Sequence, residues 1–257
     1  MRAVIPVGRY CLRLLPRATP VSVPKVRFLR KLCLGTDPLF PPYKSLKETG
    51  RKLRNPVLRR TLAMDEMGTS SMSPATLNFL ETEIKRRKPT VVLELGSGLS
   101  TICLAQYMYE THGDLNQLYV YSLEQDGASI EGTEHLLRAL GLDGCARVFH
   151  APLASQVIEG VQTSCYSLPT EFVQTIAALR PGFVVIDGPT TETDRFGTVP
   201  LIRPYLKTNA LFYLDDALRD GELDLARRWA RLPYIEVNGI YLTEKGLLQG
   251  NVRHFKE

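Results

Sequence analysis

The sequence has no apolar run of the roughly 18 to 20 residues that a bilayer requires, so no transmembrane helix is expected. Its five cysteines, Cys11, Cys33, Cys103, Cys145 and Cys165, are few and widely scattered. They lack both the paired spacing of a zinc site and the density of a disulfide scaffold, and read as reduced thiols. No internal repeat or low-complexity tract is present. Acids are nearly missing from the first 60 residues: Asp37 and Glu48 stand against 15 Lys and Arg, a net of +13, while the other 197 residues hold 17 Lys and Arg against 25 acids, −8.

What remains is ordinary globular material, 44% hydrophobic and 23% charged over 257 residues, enough for one sizeable core with an appendage. The basic leader suits contact with an anionic membrane or an acidic partner. Met1 to Gly35 is also Arg-rich and acid-free like a mitochondrial presequence, although Pro6, Pro16, Pro20 and Pro24 break any long amphipathic helix. The expected location is cytoplasmic, with peripheral membrane contact and mitochondrial targeting as the alternatives. A short helix is expected over Lys25 to Leu34 and a helical connector over Lys44 to Met67. Residues 1–72 form this extension, and removing residues 1–35 is expected to spare the chemistry.

The main domain, residues 73–257, opens at Ser73-Pro74, an N-cap followed by proline at the first helical position, with Leu77, Leu80 and Ile84 at helical spacing. Beyond it, short apolar strands alternate with helical stretches, the pattern of an α/β domain with a mostly parallel sheet covered on both faces. Strands are predicted at Thr90 to Leu95, Leu118 to Leu123, Ala146 to His150, Phe183 to Ile186 and Ala210 to Leu214. Helices are predicted at Thr101 to Glu110, Ala128 to Leu140, Thr170 to Leu179, Pro200 to Leu206 and Glu222 to Ala230. A closing antiparallel hairpin is read at Tyr234 to Val237 and Ile240 to Thr243, turning on Asn238-Gly239.

Val91 to Leu95 runs into Gly96-Ser97-Gly98 and then into an apolar helix start, a geometry that makes a ligand crevice at the carboxyl end of the sheet. The glycines let the backbone turn and a ligand approach it closely. A dinucleotide would want a third glycine at position 101, which is Thr101. The strand Tyr119 to Leu123 ends in Glu124, a carboxylate able to accept hydrogen bonds from both hydroxyls of a ribose. Two further strands deliver acids to the same edge: Phe183 to Ile186 into Asp187-Gly188-Pro189, and Leu211 to Leu214 into Asp215-Asp216. Each aspartate alone could be a helix or turn cap, but three converging carboxylates suggest a site.

Glu94, Gly96 and Gly98, with Ser100 at a third small position, resemble the first motif of class I S-adenosylmethionine-dependent methyltransferases, and Glu124 matches that family's second-strand acid. His150 and the Ala151 backbone follow the third strand, where the resemblance would place an adenine. The stretch from Ile186 to Asp216 is similar to the small-molecule and sugar-directed members. The resemblance covers about Ser73 to Val237. It implies a Rossmann-like sheet, seven strands flanked by helices, that binds S-adenosylmethionine through Glu94, Gly96, Ser97, Gly98, Ser100, Glu124 and Asp187 and methylates a hydroxyl of a small molecule or sugar beside Asp187 and Asp215. Similarity to the metal-dependent catechol-type enzymes further implies a Mg²⁺ site at Asp187, Asp215 and Asp216, with an aspartate at the usual amide position and Thr190 where those enzymes carry a lysine base. Lys207, Arg195 and Asp187 are the candidate bases, and Arg195 could instead clamp an anionic substrate. The rival readings are a nicotinamide oxidoreductase on a related sheet, disfavoured by Thr101, and a catalytically silent partner-binding domain. Nucleic-acid methylation ranks low, since neither an Asn-Pro-Pro-Tyr motif nor aromatic and basic interleaving is present.

Overall fold

The computed structural model describes residues 20–26, 53–62, 71–189 and 195–253. Its chain order is α1 (Pro56–Thr61), α2 (Pro74–Arg87), β1 (Val92–Leu95), α3 (Leu99–His112), β2 (Val120–Glu124), α4 (Gly127–Ala139), β3 (Ala146–His150), β4 (Leu153–Ile158), β5 (Val161–Tyr166), α5 (Thr170–Leu179), β6 (Phe183–Ile186), α6 (Thr198–Ile202), β7 (Ala210–Leu214), α7 (Asp220–Trp229), β8 (Ile235–Tyr241) and β9 (Leu247–Val252). Seven strands form one sheet in the order β3-β2-β1-β6-β7-β9-β8. Strands β1, β2, β3, β6 and β7 are mutually parallel, and β9 runs antiparallel to both of its neighbours. Every residue of β1, β2, β6 and β7 is buried, as expected of strands covered on both faces.

The helices follow the local chemistry foreseen for them. Ser73 caps α2 by accepting from the Thr76 N–H, Pro74 occupies its first position, and Lys88 ends it in a left-handed conformation. Leu77, Leu80 and Ile84 pack with α3 residues Ile102, Leu104 and Met108 on one face of the sheet. On the other face Phe172, Ile176, Val199, Leu223 and Trp229 close a second apolar layer, where the Trp229 indole donates to the Phe196 carbonyl at 3.0 Å. The segment foreseen as a helix from Pro200 to Leu206 is α6 followed by a 3₁₀ turn, Arg203–Tyr205. Cys103, Cys145 and Cys165 are buried thiols, and Cys11 and Cys33 lie outside the described residues. No helix among the described residues is long and apolar enough to cross a membrane.

Two departures from the sequence reading are instructive. The expected hairpin at Asn238-Gly239 does not exist: Ile235–Tyr241 is one strand, irregular between Val237 and Gly239, and its partner is Leu247–Val252. Gly239 is required there for another reason. Val21 crosses it as an antiparallel bridge, exchanging two 2.8 Å hydrogen bonds with Ile240, and a Cβ on Gly239 would come within 2.7 Å of the Val21 carbonyl oxygen. The second departure is the antiparallel pair β4-β5, whose turn uses Glu159 and Gly160 at positive φ.

The Val21 bridge also shows that the basic extension is not separable from the domain throughout. Val21, Val23 and Val26 are buried in the core, and Leu53, Leu58 and Leu62 pack with α2 and α3. The remainder of the expected Lys25 to Leu34 helix and most of the Lys44 to Met67 connector fall outside the described residues. Deleting residues 1–26 should cost on the order of 3 kcal/mol or more beyond any effect of deleting 1–19, since fully burying each of the three valines contributes about 1.5 kcal/mol at the low end. Urea unfolding of the two truncations distinguishes them. Equal midpoints would show that the segment adds nothing to the fold.

Candidate functional site

The chain winds outward from β1 through β2 to β3, then returns to β6 on the opposite side of β1. That reversal leaves a crevice at the carboxyl ends of β1 and β6, the position at which open parallel sheets bind ligands. A cleft of about 760 Å³ lies there, lined by Gly96, Ser97, Gly98 and Ser100, by Glu124 and Asp126, by Ser129 and Thr133 of α4, and by Tyr166, Asp187, Arg195, Asp216 and Arg219.

Its floor is two glycines pressed together. Gly96 has φ +95°, and a Cβ there would lie 2.6 Å from the Gly188 nitrogen. The Asp187 and Gly188 N–H groups both donate to the Leu95 carbonyl, at 2.9 and 2.7 Å, so the ends of β1 and β6 are held in contact. Gly98 then begins α3. Its N–H donates to Thr101 Oγ1 at 3.0 Å, and the Thr101 hydroxyl donates in turn to Glu94 Oε2 at 2.6 Å. Thr101, which spoils a dinucleotide fingerprint, is thus the residue that fixes this turn.

Glu94 does not reach the cleft. It is fully buried beneath the turn, its Oε1 has no hydrogen-bond partner, and burial pushes its carboxyl up to about 7 against the pull of Thr101, Ser100 and Ser122. A group protonated in the fold but ionised in the unfolded chain withdraws stability as pH rises. Its contribution is intact below about 4.5, is lost between about 4.5 and 7, and is gone above that, a loss of about 3 kcal/mol. Glu94→Gln keeps an acceptor for Thr101 and abolishes the titration. Urea midpoints of the variant should therefore fall less between pH 5 and 8 than those of the wild type, and parallel profiles would contradict this.

Glu124 does line the cleft, and its carboxylate organises the wall. Oε2 accepts from the Ser97 N–H at 2.8 Å, and Oε1 accepts from the N–H groups of Gln125 and Asp126 at 2.7 and 2.9 Å. His150 is exposed with a ring nitrogen 3.2 Å from the Gln125 carbonyl, and Ala151 is spent on a backbone bond to Glu124, so neither belongs to the cleft lining.

At the other end the three aspartates do converge. One oxygen each of Asp187, Asp215 and Asp216 lie within 4.8 Å of one another. Asp187, with 15% of its side chain exposed, reaches the cleft; Asp215 is fully buried, accepts from Thr76 Oγ1 at 3.3 Å and stays below the surface. Burial raises the Asp187 carboxyl to about 6 although Arg195 opposes it, and burial with the neighbouring Asp187 and Asp216 charges raises Asp215 as well. Cations are interleaved with these acids: Arg195, which the sequence offers as a base or an anion clamp, and Arg219 and Lys245, which it does not single out. Arg219 lies 2.9 Å from Asp216 Oδ2, Lys245 3.7 Å from Asp216 Oδ1, and Arg195 3.8 Å from Asp187 and 3.7 Å from Glu222. The i, i+3 spacing of Asp216, Arg219 and Glu222 was the available signal. Arg195 also donates to the Asp187 and Pro189 carbonyls. Lys207 lies elsewhere: its N–H donates to the Pro181 carbonyl, at the amino end of β6, so the sheet separates it from the cleft and removes it as a base. Thr190 falls outside the described residues.

The donor set suits a hard divalent ion. Three carboxylates converge, and Asp215 Oδ2 is buried without a hydrogen bond, as an oxygen awaiting a ligand would be, whereas both oxygens of Asp216 already face Lys245 and Arg219.

No protein-family model matches the sequence, and no curated protein does. Solved structures do match in fold. An O-methyltransferase from Bacillus cereus in complex with SAH superposes with a TM-score of 0.53 at 16% identity, over 90% of this chain and 97% of that one. The SAH-bound Podospora anserina methyltransferase gives 0.53 at 14% identity, over 81% and 92%. TomG, an O-methyltransferase from Streptomyces achromogenes bound to SAM and involved in tomaymycin synthesis, gives 0.50 at 13% identity, over 84% and 92%. The chain therefore shares a Rossmann-like fold with these solved methyltransferases, and its glycine turn and acids lie at the carboxyl edge of the sheet.

Proposed function

We propose that the protein transfers a methyl group from S-adenosylmethionine to a hydroxyl oxygen of a small molecule or sugar. The observation that carries this reading is the single cleft in which the Gly96-Ser97-Gly98 turn, Glu124 and Asp187 line one wall after another at the reversal point of a methyltransferase fold. Gly96 to Ser100 would hold the methionine side and Glu124 the ribose, while Glu94 acts through Thr101 as a positioning residue. S-adenosylmethionine supplies a methyl on a positive sulfonium: an O–CH₃ bond forms as the S–CH₃ bond breaks, and the acceptor loses its proton. The chain's contribution is to align the two ligands, exclude water and receive that proton.

Asp187, Asp215 and Asp216 would hold Mg²⁺, which would lower the acceptor's pKa and orient its oxygen. A second reading is favoured by Arg195, Arg219 and Lys245, which already offset the acids: Asp187, the carboxylate open to the cleft, then takes the proton itself. Contact of the basic extension with an anionic membrane or acidic partner is a separate part of the proposal, supported by its +13 charge. The test of function is transfer of labelled methyl from S-adenosylmethionine to a panel of sugars, phenols and hydroxy acids. Label in an O-methyl product supports the reading, and transfer to none of them counts against it.

A further inference from the structure

Within the cleft one buried hydroxyl is left unsatisfied. Tyr166 ends β5, is 1% exposed and lies among the cleft-lining residues, yet its Oη has no hydrogen-bond partner. Oη rests against Gly188, where a Cβ would overlap it, and Gly188 rests in turn on Gly96. The phenol therefore stands where the ends of β1, β5 and β6 meet. Buried hydroxyls without a partner are rare in folded proteins because desolvation is then uncompensated. Packing alone does not account for this one, since phenylalanine would fill the same space without the penalty.

The surrounding chemistry suggests its partner. Burial, and next the charge of Glu124, hold the Tyr166 pKa well above the ordinary range, so the group is a donor throughout the accessible pH range. A ribose hydroxyl donating to the Glu124 carboxylate, which can only accept, keeps lone pairs that want a donor of their own. The backbone donors nearest Glu124, on Ser97, Gln125 and Asp126, are already committed to that carboxylate. Arg195 gives Nε and Nη2 to the Pro189 and Asp187 carbonyls, while its Nη1 lies 3.7 Å from Glu222 and makes no hydrogen bond.

We propose that Tyr166 Oη donates a hydrogen bond to a ribose hydroxyl of the bound methyl donor, clamping the sugar from the side opposite Glu124. The assignment rests on the S-adenosylmethionine reading and adds to it a binding residue from a hairpin outside the glycine and strand-end motifs.

The test is calorimetric titration of the full chain and its Tyr166→Phe variant with S-adenosylhomocysteine and with its 2′-deoxy and 3′-deoxy analogues. The ligand-free variant should melt at or above the wild-type temperature, because the phenol makes no bond in the empty cleft. Its affinity for S-adenosylhomocysteine should fall about tenfold, and one of the two deoxy analogues should bind both proteins equally. Unchanged affinity, or a tenfold loss that persists against both deoxy analogues, would overturn the assignment. So would a marked drop in the melting temperature of the ligand-free variant, which would reveal a structural bond. Absence of any wild-type binding would instead overturn the methyl-donor reading on which the assignment stands.

Discussion

Gly96→Ala should destabilise the protein by about 3 kcal/mol or more and reduce S-adenosylhomocysteine binding at least a hundredfold. Two independent costs add. Alanine at φ +95° is strained by about 1 to 3 kcal/mol, and its Cβ would sit 2.6 Å from the Gly188 nitrogen and 2.9 Å from its Cα. The obstructing atoms are backbone, tied to Leu95 by two hydrogen bonds, so relief requires prising β1 from β6 at the floor of the cleft. Gly98→Ala is the internal control: its φ of +156° is also unfavourable, but a Cβ there meets nothing within 4 Å. It should be the milder substitution in both urea unfolding and ligand titration. Equal effects of the two, or a wild-type Gly96→Ala, would show that the β1-β6 contact is not what shapes the site.

The second large effect is expected at Asp187. Asp187→Asn should lower the methyl-transfer rate by a factor of 10² to 10⁴, the usual range for losing a group that handles the acceptor's proton, while leaving the fold intact. In the reading without a metal, wild-type activity should fall as pH drops through about 6, since the working form of Asp187 is the ionised one and its burial has raised the carboxyl to that value. EDTA separates the two roles. Activity lost in EDTA and restored by Mg²⁺ in the wild type, but not in Asp187→Asn or Asp215→Asn, assigns the aspartates to a metal. Full turnover in EDTA removes the ion and leaves Asp187 as the base. A fully active Asp187→Asn would contradict both.

Much of this architecture was legible because it depends on local chemistry. Ser73-Pro74 is a strong helix start, the runs Val91 to Leu95 and Phe183 to Ile186 read as buried strands, and in a parallel sheet the acids at their ends fall at one edge. The Asn238-Gly239 pair misled because its glycine answers to Val21, a contact more than 200 residues away in sequence that no local pattern encodes. Leu247–Val252 went unread because its partners are fixed by tertiary pairing rather than by the adjacent turn. In the site, Gly96, Glu124 and the three aspartates were visible as strand-end residues. Of the cations that pair them only Arg195 stood out, as a base or an anion clamp; Arg219 and Lys245 did not, because they come from separate segments whose meeting follows from the sheet order. Thr101 was read for what it denies a dinucleotide; its hydrogen bond to Glu94 depends on the helix beginning at Gly98.

The central claim is that this cleft binds S-adenosylmethionine, and calorimetric titration with S-adenosylhomocysteine, set beside NAD and NADP, tests it most directly. Saturable one-to-one binding of S-adenosylhomocysteine, with a rise in melting temperature that neither nicotinamide nucleotide produces, is the predicted result. Binding of NAD or NADP with no response to S-adenosylhomocysteine would contradict it.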